Sequence, residues 1–173
     1  MASVIGPEQS YCVLGRTIQD NLFLLCDLLT AAERFGLDIG LVSLDQEKAF
    51  DHIDHQYLLS TLEAFGFGPF FIVAPQVLYH DASSLLKVNS VLCSPFPVHC
   101  GIHQGCPLSG MLYALAIELL LHAQRCHLTS LALPPAPDPT TGPLIWLTVY
   151  VVDVTVFLGS QEDVRALVHC QHA

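Results

Sequence analysis

The sequence predicts an α+β domain in which a small antiparallel sheet packs on helices. Three observations predict it: helical periodicity over Thr17–Phe35 and Ser109–Leu128, a β-branched run between Ile145 and Leu158, and the mixed order in which these segments follow one another.

Thr17–Phe35 carries apolar residues at 18, 22, 25, 28, 29 and 32, and Gly36 follows as a stop, which is the pattern of an amphipathic helix. Asp38–Leu44 is a short apolar run ended by Asp45, which reads as a strand. Asp54 stands in N-cap position before Tyr57, Leu58, Leu62 and Phe65, and Gly66 closes that second helix. Leu85–Val98 alternates loosely and contains Asn89-Ser90 and two prolines, as an edge hairpin would. A Gly-rich, Pro-containing turn leads into the helix at Ser109–Leu128. Leu133 to Pro143, with four prolines before Gly142 and Pro143, reads as a linker or long loop. Ile145 to Leu158 reads as a strand pair with Trp146 in the core, and Glu162-Asp163 beside Gly159-Ser160 as a helix start.

The chain has 173 residues, 52% of them hydrophobic and 13% charged. With a mean hydropathy of +0.51 this is ample apolar material for one compact core and excludes disorder as the resting state. Sixteen acidic against six basic residues give a net charge of −10, so a sequence-independent grip on nucleic-acid phosphates is not expected. So low a charged fraction implies poor solubility or a partner that covers part of the surface. Seven cysteines, an odd number without a C-x-x-C pair, argue against a disulfide framework. Met1-Ala2-Ser3-Val4-Ile5-Gly6-Pro7 lacks the basic start and apolar core of a secretory signal, so the expected location is intracellular, cytoplasmic or nuclear. The most membrane-like window, Pro143 to Gly159, is interrupted by Asp153, and no membrane partner is expected.

Three segments carry candidate chemistry. In Leu44-Asp45-Gln46-Glu47-Lys48-Ala49-Phe50-Asp51 a carboxylate ends an apolar strand, where the sheet would hold it still as a metal ligand; the alternative is a cap of the following turn. Gly101-Ile102-His103-Gln104-Gly105-Cys106-Pro107-Leu108-Ser109-Gly110 opens a helix whose free N–H groups suit a phosphate or a nucleotide edge; the alternative is an ordinary loop capped by Ser109. Tyr150-Val151-Val152-Asp153 lies between β-branched runs and suits a hairpin tip; the alternative is a buried strand with one solvated acid.

Together these segments resemble the fingers and palm of a reverse transcriptase of the non-LTR retrotransposon kind, over roughly Pro7 to Ser160. Gly15-Arg16-Thr17-Ile18 with Asp20-Asn21 is similar to the stretch that precedes the palm in that family. The resemblance implies a fingers/palm fold over 7–160 with a tail at 161–173 too short for a thumb. It makes Asp45 and Asp153 the catalytic and metal-binding carboxylates, and sets Phe50, Gln104 and Gly105 against the nucleotide. It further implies RNA-directed DNA synthesis with an RNA template, a DNA primer, deoxynucleotides and Mg²⁺, through two ions about 3.5–4 Å apart.

The sequence departs from the Y-x-D-D pattern at Val152, where the family has the carboxylate that joins Asp45 in binding both ions. Valine has no lone pair to offer a hard cation. The expected consequence is an inactive copy, a pseudoenzyme, with its fold intact because valine suits a hairpin strand. The missing thumb is expected to keep Val152→Asp alone from restoring extension. Arginine is confined to 16, 34, 125 and 165 and lysine to 48 and 87, while His52, His99, Cys100 and His103 stand where arginine would be expected; His and Cys follow from Arg codons by single transitions. Nucleic-acid binding is therefore expected to be weak or lost. Three rival readings are a zinc site from Cys93, His99, Cys100, His103 and Cys106, a nucleophile at Cys106 or Ser109 with His103, and a non-catalytic interaction module on a palm scaffold.

Overall fold

A computed structural model describes residues 4–132 and 144–170; the Pro-rich stretch Leu133 to Pro143 lies outside the described residues. In chain order the elements are α1 (Ile18–Phe35), β1 (Gly40–Leu44), α2 (His55–Ala64), α3 (Pro69–Tyr79), β2 (Ser83–Ser84), β3 (Lys87–Val88), β4 (Val91–Leu92), β5 (Phe96–Pro97), α4 (Ser109–His127), β6 (Leu131–Ala132), β7 (Leu144–Ile145), β8 (Leu147–Tyr150), β9 (Asp153–Leu158) and α5 (Gln161–Cys170). They gather into two compact units, Met1–Glu47 with Ile117–Ala173, and Lys48–Ala116.

The first unit is built on a three-stranded antiparallel sheet of order β1-β9-β8. Its register runs from Gly40↔Leu158 to Leu44↔Val154 on one side of β9 and from Leu147↔Val156 to Tyr150↔Asp153 on the other. Helix α1 starts in a capping box in which the Thr17 N–H donates to the Asp20 carboxylate at 2.7 Å, and Gly36 ends it in the left-handed region (φ 63°). Leu28 packs with Ile145 and Phe157, and Leu24, Leu25 and Leu131 pack around them. Each such burial contributes about 1.5–3 kcal/mol. The apolar stripe differs from the expected one: Ile18, Leu22 and Leu29 are exposed while Leu24, Leu28 and Ala31 turn inward. An almost continuous apolar run offers several stripes at i, i+4, i+7, and tertiary packing selects one. Trp146 is half-buried rather than in the core; its carbonyl accepts the Phe157 N–H at 2.9 Å between β7 and β8.

Helix α5 opens where the sequence places it. Ser160 and Asp163 cap one another, and the buried Asp163 carboxylate also accepts the N–H groups of Thr129 (2.9 Å) and Gly159 (3.2 Å). Burial pushes this carboxyl upward, but those hydrogen bonds outweigh it and hold it below its ordinary 3.8.

A buried ion triad tethers the N-terminal segment to α4: Arg125 pairs with Glu8 at 2.9 Å and with Glu118 at 2.6 Å. Glu8 Oε1 and Glu118 Oε2 lack hydrogen-bond partners, as two carboxylates share one guanidinium. Gly6 passes so close that a Cβ there would overlap Arg125.

In the second unit, the Asp54 side chain caps α2 by accepting the Tyr57 N–H at 2.8 Å, and the Tyr57 hydroxyl donates to the Ala116 carbonyl at 2.8 Å. The hairpin expected at Leu85–Val98 is present as two nested pairs, β2 with β5 outside and β3 with β4 inside. Helix α3 was not expected from the sequence: PFFIVAPQVLY is apolar all round, so it carries no period, and Pro75 sits inside it. Pro69 at its start fits the fixed φ of a first helical residue.

Candidate functional site

The first unit sets two predicted acids on one sheet. Asp45 directly follows β1, whose last residue Leu44 pairs with Val154, and Asp153 opens β9; continuing the register by one residue puts Asp45 opposite Asp153. Both side chains are exposed. Tyr150 and Asp153 face each other across a two-residue turn made of Val151 and Val152, so the hairpin tip read from the sequence is the observed one. Val152 is the second residue of that turn and is half-buried there, so the preference of valine for a hairpin strand does not bear on it.

Val151 takes φ 59°, in the left-handed region that a β-branched residue rarely enters. What holds it is a group that periodicity did not mark. Gln9 is fully buried, and its side-chain oxygen accepts the N–H groups of Val151 and Tyr11, each at 3.1 Å, while its Nε2 points to the Val151 carbonyl at 3.4 Å. The segment carrying Gln9 bridges β8 in parallel: the Val149 N–H donates to the Glu8 carbonyl (3.0 Å), and Val149 oxygen accepts the Ser10 N–H (3.0 Å) and the Asn21 amide (2.9 Å). Tyr11 meets the Tyr150 ring edge-to-face at 5.3 Å. The Tyr11 hydroxyl is pushed above its ordinary range, chiefly by its hydrogen bond with Cys12.

The second unit gathers the other predicted residues. The Ile102 N–H donates to the Phe50 carbonyl at 2.7 Å and the Gly101 N–H to the Ile53 carbonyl at 2.8 Å, which ties the Lys48–His52 turn to the loop containing Gln104 and Gly105. Gly101 (φ 99°) lies so near the Asp51 backbone that a Cβ would stand 3.3 Å from its oxygen. The Phe50 ring is half-buried and stacks on the buried Tyr113 at 4.7 Å and 26°. Gln104 and Gly105 are exposed. Ser109 is the first residue of α4, and its hydroxyl donates to the His103 carbonyl rather than accepting a helix N–H, so it is not the cap that the ordinary-loop alternative supposed. His55, Tyr79 and His103 form a ring stack with centroids 4.5 and 5.6 Å apart, and burial pushes the Tyr79 hydroxyl up.

Among the described residues, no group of three or more His, Cys, Asp or Glu is placed to hold a metal ion. All seven cysteines are free. No helix among the described residues is long and apolar enough to cross a membrane.

Residues 1–172 match the family described as reverse transcriptase (RNA-dependent DNA polymerase). The chain is 47% identical over 171 residues to the transposon TX1 uncharacterized 149 kDa protein of Xenopus laevis, a match covering 99% of this chain and 13% of that protein. It is 32% identical over 102 residues to the retrovirus-related Pol polyprotein from type-2 retrotransposable element R2DM of Drosophila melanogaster, covering 59% of this chain and 10% of that one. The chain therefore spans a small part of each relative's length. In fold it is similar to an apo telomerase from Candida tropicalis truncated from its C-terminal domain, with a TM-score of 0.55 and 10% identity over 96% of this chain and 32% of that one.

Proposed function

The chain belongs to the reverse transcriptase family, in its non-LTR retrotransposon branch, and from that premise we propose that it is a fingers-and-palm piece of an RNA-directed DNA polymerase whose own chemistry is extinguished. Residues 7–160 form the polymerase piece and 161–173 its tail. In an intact enzyme this scaffold serves nucleotidyl transfer between a DNA primer and deoxynucleotides on an RNA template, with Mg²⁺ as the expected ion.

The observation that carries the reading is the tip of the β8–β9 hairpin. Asp45 and Asp153 supply two exposed carboxylates in register, and the turn residue directly before Asp153 is Val152. An isopropyl group gives no oxygen to a cation that demands near-octahedral oxygen coordination. The donor set does not fit a centre for two hard ions. Losing one positioning or electrostatic element typically costs on the order of 10² to 10³ in rate, and more if an ion leaves. Surface charge supports the same reading: His52, His99, Cys100 and His103 are all exposed, where permanent cations would be needed to hold a phosphate backbone.

Primer extension tests the proposal. With a DNA-primed RNA template, deoxynucleotides and Mg²⁺, the purified chain is expected to give no product above background; measurable extension overturns the reading. A second reading, an interaction module on the same scaffold, is favoured by one observation: large apolar side chains stand exposed on α1 (Leu22, Phe23), α3 (Phe70, Val77) and the inner hairpin (Val88, Val91).

A further inference from the structure

We propose that Gln9 is a positioning residue for the Tyr150–Asp153 turn, acting as a main-chain clamp that fixes Val151 in the left-handed conformation and thereby sends Asp153 back along β9 opposite Asp45. A two-residue hairpin turn with positive φ at its first residue normally has glycine there. Here that residue is Val151 at φ 59°, and a β-branched side chain does not choose this conformation by itself. Something outside the turn imposes it, and the Gln9 carboxamide is in the right place. It faces both polar main-chain atoms of Val151, with N–H···Oε1 at 3.1 Å and Nε2···O at 3.4 Å.

The clamp is itself immobilised. Gln9 is wholly shielded from water, so an unmade hydrogen bond on its amide would be costly. Its backbone carbonyl accepts the Arg16 guanidinium at 2.8 Å, and its neighbours Glu8 and Ser10 hold Val149 from both sides. Glu8 is anchored to Arg125 at 2.9 Å. The segment is therefore held along the free side of β8 by an isolated parallel bridge at Val149, from which the Gln9 side chain reaches forward to Val151 in the turn.

Because the carboxamide addresses main chain alone, the clamp is blind to the side chain at position 152. The turn should keep its shape whether 152 is valine or a carboxylate, so loss of a ligand there leaves the scaffold unchanged. That Asp153 is a site acid rests on the reading given above; the clamp rests on this chain's geometry.

Amide hydrogen exchange by NMR on the full chain, with the intraresidue Hα–HN cross-peak of Val151 as a reporter of positive φ, tests the assignment. In Gln9→Met, which keeps the volume and removes both polar atoms, the Val151 amide is expected to exchange about tenfold faster or more and its cross-peak to weaken, while the amides of Val156 and Leu158 keep their rates. Gln9→Glu retains an acceptor for the Val151 N–H and should retain most of its protection. Val152→Asp should leave both signals unchanged. An unprotected Val151 in the parent chain, no change in Gln9→Met, or equal acceleration across β8 and β9 overturns the clamp; should Gln9→Met not fold, Gln9→Glu and the parent chain decide it by the same signals. Polymerase activity in the parent chain would refute the proposed inactivity and leave the clamp standing.

Discussion

Two tight turns of this molecule solve the same geometric problem by opposite means. At the tip of the inner hairpin, between β3 and β4, Asn89 (φ 48°) and Ser90 (φ 67°) both take positive φ, as a type I′ turn requires. Asparagine tolerates that region, and the hairpin is exposed, so the turn is set by its own residues. At the tip of β8 and β9, Val151 takes φ 59° against its preference, held by Gln9. A turn dictated from outside costs the fold on the order of 1–3 kcal/mol of local strain. The difference lies in what each turn depends on: the self-sufficient turn is set by its own residues, and the enforced one, set by Gln9, starts β9 at Asp153 in register with Asp45.

The largest way to break this comparison is to remove the anchor of the clamp. Arg125→Met leaves the buried carboxylates of Glu8 and Glu118 facing each other without a cation. It is expected to destabilise the fold by about 3–5 kcal/mol in denaturant unfolding; a loss within the scatter of a surface substitution would show that the segment is not held there.

Asp163 offers the next effect, through pH. Its folded pKa lies below the ordinary 3.8, so its contribution is present above that value and is lost as pH falls through the folded pKa. Unfolding followed from pH 6 down to about pH 3 should show the parent chain losing stability that Asp163→Asn does not have to lose. Parallel curves would refute the assignment.

The smaller effects compare the turns directly. Val151→Gly relieves a conformation valine resists and is expected to raise stability by about 1 kcal/mol, after the glycine's own loss of chain entropy. Asn89→Gly, at a turn that already suits its residues, should change stability by less than about 0.5 kcal/mol. Equal responses would remove the distinction between an imposed and an intrinsic turn.

Much of the scaffold was legible because its determinants are local. The Asp54 cap, the Gly36 stop, the Asn89-Ser90 turn and the strand pair closing at Tyr150–Asp153 each depend on residues a few positions apart. The α3 helix was hidden because Pro75 and uniform apolarity erase the signals on which a helix is recognised. The hairpin tip at Tyr150–Asp153 was legible from the β-branched runs on either side of it, although Val151-Val152 are not turn-forming residues; the Gln9 contact that holds Val151 in its turn conformation was not. In the site, Asp45, Phe50, Gln104, Gly105 and Asp153 were marked by motif, and the structure places them in two groups, the acids on the sheet and the others around the Phe50–Ile102 pairing. Gln9 and the Glu8–Arg125 pair were invisible because their partners lie 142 and 117 residues away, where no spacing rule reaches.

The central claim is that the sheet sets Asp45 and Asp153 in opposite register while the turn directly before Asp153 supplies a hydrocarbon. Titration with Mn²⁺, read by paramagnetic broadening of the Asp45 and Asp153 amide signals, tests it most directly. The account predicts no saturable broadening at these residues below about millimolar ion, because two exposed carboxylates are a poor cage for a hard cation. Tight, saturable broadening centred on both would contradict it.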